Sequence, residues 1–544
     1  MLRISILALL GSVTMAGAVD LKTTILGNPT AYIPSQCYTK TQDEVGNAHN
    51  PCQTCHTYPR SPNYVRDADL QTEYAFPAPA LENPWTNLFV DRRAKVAATK
   101  SAEIRAYVRQ DNYHDAQGDI ALAAKLAVPP AAWDVDGNGA WDGYTPDVQF
   151  SIDDEGFDRS PNGALTGWRA FAYQPLPGTF WPTNGSTDDV LIRLPKAFRE
   201  RVDGTPDLTI YKTNFAIIEA LITRKDVAIT PTDESAMGVD LDRDGLMGTA
   251  SRVKFAFAPL DGITMHYAGR AGAEGAKLAA GLYPKGTEFV HTVRYIDPMP
   301  AGIAMAARLK ELRYMRKTDW ITYAALEETA LAELKEDNAF PDRTKQFFGN
   351  SETGIPNAFG WRLQGFIEDT SGDLRPQSFE ETVFCIGCHG TLGTNDDSTF
   401  AFARKLGKGA FRDGWYHWSQ KSLVGTPDLI RADGTGDYAH YLTSNAAGDE
   451  FRANAEVIEA WLKNGELPPV RAAALRDDIG ALILPSPERA DALNAAYRLI
   501  VREQSFVKGR DATIAPVEST VWRKVEQDQP TGIQKPQQPW FERR

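Results

Sequence analysis

Cys52-Gln53-Thr54-Cys55-His56 recurs as Cys385-Ile386-Gly387-Cys388-His389. In this five-residue pattern two thiols lie on one side of a helical turn and an imidazole follows directly. The spacing suits thioether bonds from both sulfurs to the vinyl groups of a haem, with the imidazole presented to the iron from below. Two other chemistries use C-x-x-C. A zinc site needs the two pairs to converge and leaves each His idle. A dithiol redox pair has no use for His. The repetition of the full pattern, together with an export leader, favours haem attachment.

The chain has five cysteines, and the motifs take four of them. No intrachain disulfide remains. The fifth, Cys37, follows Tyr32-Ile33-Pro34-Ser35-Gln36, which is no lipidation signal. It reads either as a buried apolar thiol or as a thiolate ligand to iron. The leader is expected over 1–18: Arg3 supplies the positive end, Ile4 to Met15 the apolar core and Ala16-Gly17-Ala18 the cleavage site. No later stretch has the apolar length of a membrane helix.

The two motifs resemble those of c-type cytochromes, and of a dihaem one in particular. The resemblance rests on ten residues. It implies two covalently bound haem c groups, attached at Cys52 and Cys55 and at Cys385 and Cys388, with His56 and His389 as proximal iron ligands. The export leader fits this chemistry, because bacteria attach haem c outside the cytoplasm.

The chain is 544 residues long with a formal net charge of −13. That length predicts several domains. The acidity argues against nucleic acid as a partner and suits a redox partner with a basic face. The expected fold is mixed: mainly α around the two haems, with an irregular Gly/Pro-rich middle region containing some β structure. The expected divisions are a leader at 1–18, a first haem region at 19–130, a middle region at 131–300, a helical second haem domain at 301–510 and an extended tail at 511–544. Within this scheme 301–337 reads as helix from its Ala, Leu, Glu, Lys and Arg content. Ile210 to Asp226 reads as an amphipathic helix, and Glu288 to Ile296 alternates as a strand.

Two segments look like halves of calcium loops. In the first, Asp134, Asp136, Asn138 and Asp142 supply side-chain oxygens and Ala140 a carbonyl. In the second, Asp240, Asp242 and Asp244 supply side chains and Leu246 a carbonyl. Both lack Glu at position twelve, so a bidentate ligand must come from elsewhere, with Asp147 a candidate for the first loop. A solvated Asx-rich turn is the alternative.

The distal ligands decide the function. His417, set among Trp415, Tyr416 and Trp418, and His291, on the apolar face of the alternating strand, are the leading candidates. With both irons six-coordinate, the protein carries electrons between periplasmic partners. With one iron open, it is an oxidoreductase, peroxidase-like or a sulfur-compound dehydrogenase, the latter resting on Cys37. The large middle region also allows a haem-bearing docking subunit of an electron-transfer complex. Dihaem peroxidases resemble the second case, but here 333 residues separate Cys52 from Cys385, far more than in that family.

Overall fold

The alternating segment lies within a strand of 12 residues, Glu288–Met299. The chain turns back at Gly302 into the antiparallel strand Gly302–Lys317, so that Met299 pairs with Gly302 and Glu288 with Arg316. This computed structural model describes residues 19–179, 182–256, 265–448 and 450–538. The leader expected over 1–18 lies outside the described residues.

The two strands are central in an eight-stranded antiparallel sheet. On one side follow Trp361–Glu368, with Ile355–Pro356 beside it, and then Leu374–Pro376. On the other side follow Thr187–Arg193, Leu165–Phe171 and Phe157–Arg159. The expectation of a mainly α fold is corrected by this sheet. The helix expected over 301–337 is likewise confined to Tyr323–Ala339, capped by the Thr322 hydroxyl on the Ala325 N–H. Helix propensities differ by only tenths of a kcal/mol per residue. Residues 302–317 are instead paired on both edges and bury Leu309, Leu312 and Met315, which outweighs that preference.

Side chains alternate across the sheet. Phe171, Val190, Ile192, Phe289, Met315 and Trp361 face a cluster that contains Ile33, Tyr38, Trp85 and the helix Leu208–Thr223. The same cluster holds Phe379, Val383 and Ile386 of the helix Phe379–His389, which carries the second cysteine motif. Trp168, Leu191, Val290, Leu312 and Phe366 face the other way, onto Tyr113, Leu122, Leu126 and Trp133. The sheet is therefore a middle layer with the second motif on one side only.

Local signals set the helix ends. Asp207 caps the Thr209 and Ile210 N–H groups at the start of Leu208–Thr223, close to the expected boundary. Ser378 and Glu381 form a reciprocal capping box, and Gly390 follows the last turn. The first motif enters a short 3-10 turn, Pro51–Thr54, where Asn50 accepts from the Gln53 N–H. Proline at the first position loses nothing there, since that N–H is unpaired in any helix. The tail returns to this region: Gln529–Pro530 pairs with Glu73–Tyr74.

Candidate functional site

The fold closes the 333-residue gap between the motifs. The segment after His389 lies on the first motif, where the Thr394 N–H donates to the Cys55 carbonyl at 3.3 Å. Asn63 Nδ2 donates to the Leu392 carbonyl at 2.6 Å. Asp67 joins all the parts. Its Oδ1 accepts from the Thr57 N–H at 3.0 Å, and its Oδ2 accepts from the Gly393 N–H at 3.0 Å. Gly393 must be glycine, because a Cβ there would strike Thr57 and Asp67.

Between the motifs lies a cavity of about 700 Å³ lined by Cys37, Cys52, Cys55, His56 and Cys388. That volume is in the range of organic ligand sites. Ile33, Phe76 and Ile386 form apolar wall. The helix Tyr323–Ala339 closes one side with Ala330, Leu331 and Leu334. Leu331 and Leu334 are 48% and 61% exposed, an apolar edge of the cavity.

The chemistry of the thiols separates the three readings of C-x-x-C. Burial pushes Cys52 up to about 12 and Cys388 up to about 11. It also raises Cys55 and Cys37, with neighbouring cysteines adding to the rise. A dithiol redox pair needs the opposite, a lowered thiol. Zinc needs four ligands gathered on one point. Among the described residues, sets of three ligand atoms within 4.8 Å of one another occur only at two acidic clusters, not at the cysteines. Cys37, Cys52, Cys55 and Cys388 instead line the walls of a space, while Cys385 and His389 lie outside its lining.

The two imidazoles share one arrangement. His389 Nδ1 lies 2.7 Å from the Ser398 carbonyl, which can only accept, so Nδ1 carries the proton. His56 Nδ1 lies 3.2 Å from Asp67 Oδ2. Each Nε2 is left as the basic nitrogen, the state in which imidazole binds a metal, and its ring is fixed by an outer partner. Sequence reading identified both histidines but not Asp67 or Ser398, which lie at offsets no motif encodes.

The structure places the two distal candidates apart. His417 is on the far face of the sheet from the second motif, with Nε2 2.8 Å from Asp189 Oδ2 and Nδ1 2.7 Å from Ser419 Oγ. That engagement holds Asp189 below the usual carboxylate range despite its burial. His291 is on the motif's face, opposite Arg313 in the ladder and 3.4 Å from Asp188. Burial, then Arg313, lowers it to about 3, while burial raises Asp188 to about 7 against a hydrogen bond from Tyr173. Neither histidine lines the cavity. His440 approaches the first motif through Gln53 Oε1, at 3.1 Å.

Both acidic loops acquire a glutamate from outside the loop. Asp134 and Asp136 meet Glu352, whose carboxylate also accepts from the Val135 and Asp142 N–H groups, both at 2.8 Å. Asp240 and Asp242 meet Glu234, which accepts from Leu241 N–H at 2.6 Å and Gly248 N–H at 2.9 Å. Oδ1 of Asp240 and of Asp242 is buried without a hydrogen-bond partner among the described residues. Asp147, the expected extra ligand of the first loop, instead pairs with Arg193 and Trp168. Asn138 turns its amide nitrogen to Asp136 and Asp142, and Ala140 N–H donates back to Asn138. In the second loop the Leu246 N–H donates to Asp244. The glutamates were illegible because they come 210 residues later and 6 residues earlier than the loops they complete.

Comparison with known proteins gives the kinship. A family model described as "-like lipoprotein" matches residues 21–472. An "Uncharacterized lipoprotein" of Aquifex aeolicus (strain VF5) is 33% identical over 530 residues, covering 89% of this chain and 86% of that protein. No solved structure matches. Neither match carries a cytochrome, haem or electron-transport description, which corrects the classification of this chain with the c-type cytochromes. Ten residues in two motifs do not define kinship against an alignment spanning most of both chains. Lipoproteins are exported, in keeping with the expected leader. Leu21, ahead of Cys37, is fully buried and its N–H donates to the Ala132 carbonyl at 2.9 Å. No helix among the described residues is long and apolar enough to cross a membrane. By sequence and over most of its length, the chain belongs to this family of exported lipoproteins.

Proposed function

We propose that this protein holds two haem groups, bonded to Cys52 and Cys55 and to Cys385 and Cys388, and passes electrons between partners outside the cytoplasm. The observation that carries the reading is the common state of His56 and His389. Each Nδ1 is taken by an acceptor and each Nε2 is left to coordinate. The protonated thiols of Cys52, Cys55 and Cys388 on the wall of one largely apolar cavity support thioether attachment there, while Cys385 and His389 lie outside its lining. Bound haem supplies a one-electron couple at its iron. The chain's own part is to fix the two imidazoles, and Asp67 and the Ser398 carbonyl do this. Leu331 and Leu334 give the cavity wall apolar surface for the ring to cover. Asp67 also ties the first motif to Gly393, which keeps the two attachment segments at a fixed spacing. A redox partner with a basic face fits the net charge, and the periplasm is the compartment this reading requires.

The test is a pyridine haemochrome assay on protein matured with a competent attachment apparatus. Two haems per chain support the reading; a colourless protein refutes it. A second reading, an oxidoreductase with one iron open to substrate, rests on the cavity lining. Among the described residues there, His56 is the sole histidine and methionine is absent. A high-spin ferric EPR signal favours that reading, and two low-spin signals exclude it.

The acidic loops are proposed as calcium sites with a structural role, each completed by its outside glutamate. The buried, unpartnered oxygens of Asp240 and Asp242 support a cation there. Calcium-dependent thermal stability is the measurement.

A further inference from the structure

A second cleft, of about 1750 Å³ and sharing no lining residue with the cysteine cavity, runs between the strand Leu165–Phe171, the helix Leu208–Thr223 and residues 394–415. Basic side chains outnumber carboxylates along its walls, although the chain as a whole is acidic. Most of these cations are already neutralised. Lys405 meets Glu219 at 3.0 Å, Lys212 meets Glu155 at 2.7 Å, and Arg412 pairs with Asp154.

Arg169 differs. It is only 6% exposed, yet it forms no ion pair among the described residues. Its Nε donates to the Glu155 carbonyl at 3.0 Å, and no partner there takes its two Nη groups. Its guanidinium lies 3.7 Å from the centroid of the Trp415 ring and 4.5 Å from that of Phe157. The rings fix its plane, so it does not swing out to solvent. Burial lowers this group to about 9, against the attraction of the Glu219 and Glu155 carboxylates, which still leaves it charged at neutral pH. A fixed planar fork with free N–H groups on a cleft wall matches two oxygens of one anion.

We infer that this cleft binds a small oxyanion, of carboxylate or sulfate type, with the Nη edge of Arg169 as its anchor. The cleft is also bounded by Thr394, Asp396 and Phe400, and the Phe400 ring lies 5.9 Å from that of His389. The inference does not depend on the haem reading, since none of its residues belongs to the cysteine cavity.

Isothermal titration of the full-length mature protein with sodium sulfate and, separately, sodium acetate tests it, at constant ionic strength in a buffer free of other oxyanions. The expected result is saturable one-to-one binding of at least one anion, weakened about tenfold or more by Arg169→Gln. Lys225→Ala, at the exposed rim, leaves the affinity unchanged. Which anion binds separates the carboxylate source from the sulfate source. Absence of saturable binding of either by the parent overturns the inference, as does equal affinity in Arg169→Gln. Should that variant fail to fold, Arg169→Lys decides. It keeps the charge and loses the fork, so affinity falls if the anchor is real, and unchanged affinity refutes it.

Discussion

Replacing Asp67 tests whether one carboxylate binds the two cysteine segments together. Asp67 is 8% exposed and engages three donors: the Thr57 N–H, the Gly393 N–H and the His56 Nδ1–H. A hydrogen bond to a charged group contributes about 1.5–3 kcal/mol, and a buried donor left unpaired costs about 1–3 kcal/mol. Water entering from the cavity repays part of that loss. Asp67→Ala should therefore lower the unfolding free energy by about 3–6 kcal/mol, taking the three bonds with partial repayment. Asp67→Asn keeps one acceptor oxygen for Thr57 and turns an N–H toward Gly393 and His56. Its loss should be about half as large. Urea unfolding of both variants, followed by tryptophan fluorescence with the slope checked against the parent, measures the two values. A loss below about 1 kcal/mol in Asp67→Ala, or an Asn variant less stable than the Ala variant, would refute the assignment of Asp67 as the link.

Three further outcomes follow from the geometry. Glu352→Gln and Glu234→Gln should each reduce the rise in melting temperature that calcium gives over chelator, and an undiminished rise in both would remove the glutamates from the sites. His417→Ala should cost about 1–3 kcal/mol, since Asp189 loses the imidazole but keeps the Thr292 hydroxyl and the Arg294 guanidinium, yet leave the visible absorption of the mature protein unchanged; a spectral shift would place His417 at an iron. Asp188 titrates near 7 in the fold and near 4 when unfolded. Between those values the unfolded chain binds fewer protons, so this group's contribution to stability falls as pH rises from about 4 to 7. Asp188→Asn mimics the protonated form and should gain on the parent across that window in paired denaturation curves; a difference independent of pH would refute the raised titration.

How much of the site was legible depended on sequence distance. The attachment cysteines, their histidines and the first oxygens of each acidic loop lie within a few residues of one another, so local spacing exposes them. Asp67, Ser398, Glu352 and Glu234 reach their partners through the fold, and nothing near them in sequence marks the meeting. The helix Leu208–Thr223 and the capping box at Ser378 were readable because caps and periodicity are local. The strand Gly302–Lys317 was not, because its residues are good helix formers and its pairing partners decide otherwise.

Sequence by itself determined the chemistry available: five thiols, two imidazoles set beside pairs of them, and two loops dense in carboxylate. Tertiary structure alone decided what faces what. It brought two motifs 333 residues apart around one cavity and put His417 across the sheet from them. It also left Arg169 charged and without an ion pair among the described residues, in a cleft. The physical reason is that burial and pairing are properties of the packed layers, and layers are assembled from segments whose separation along the chain carries no trace of their contact.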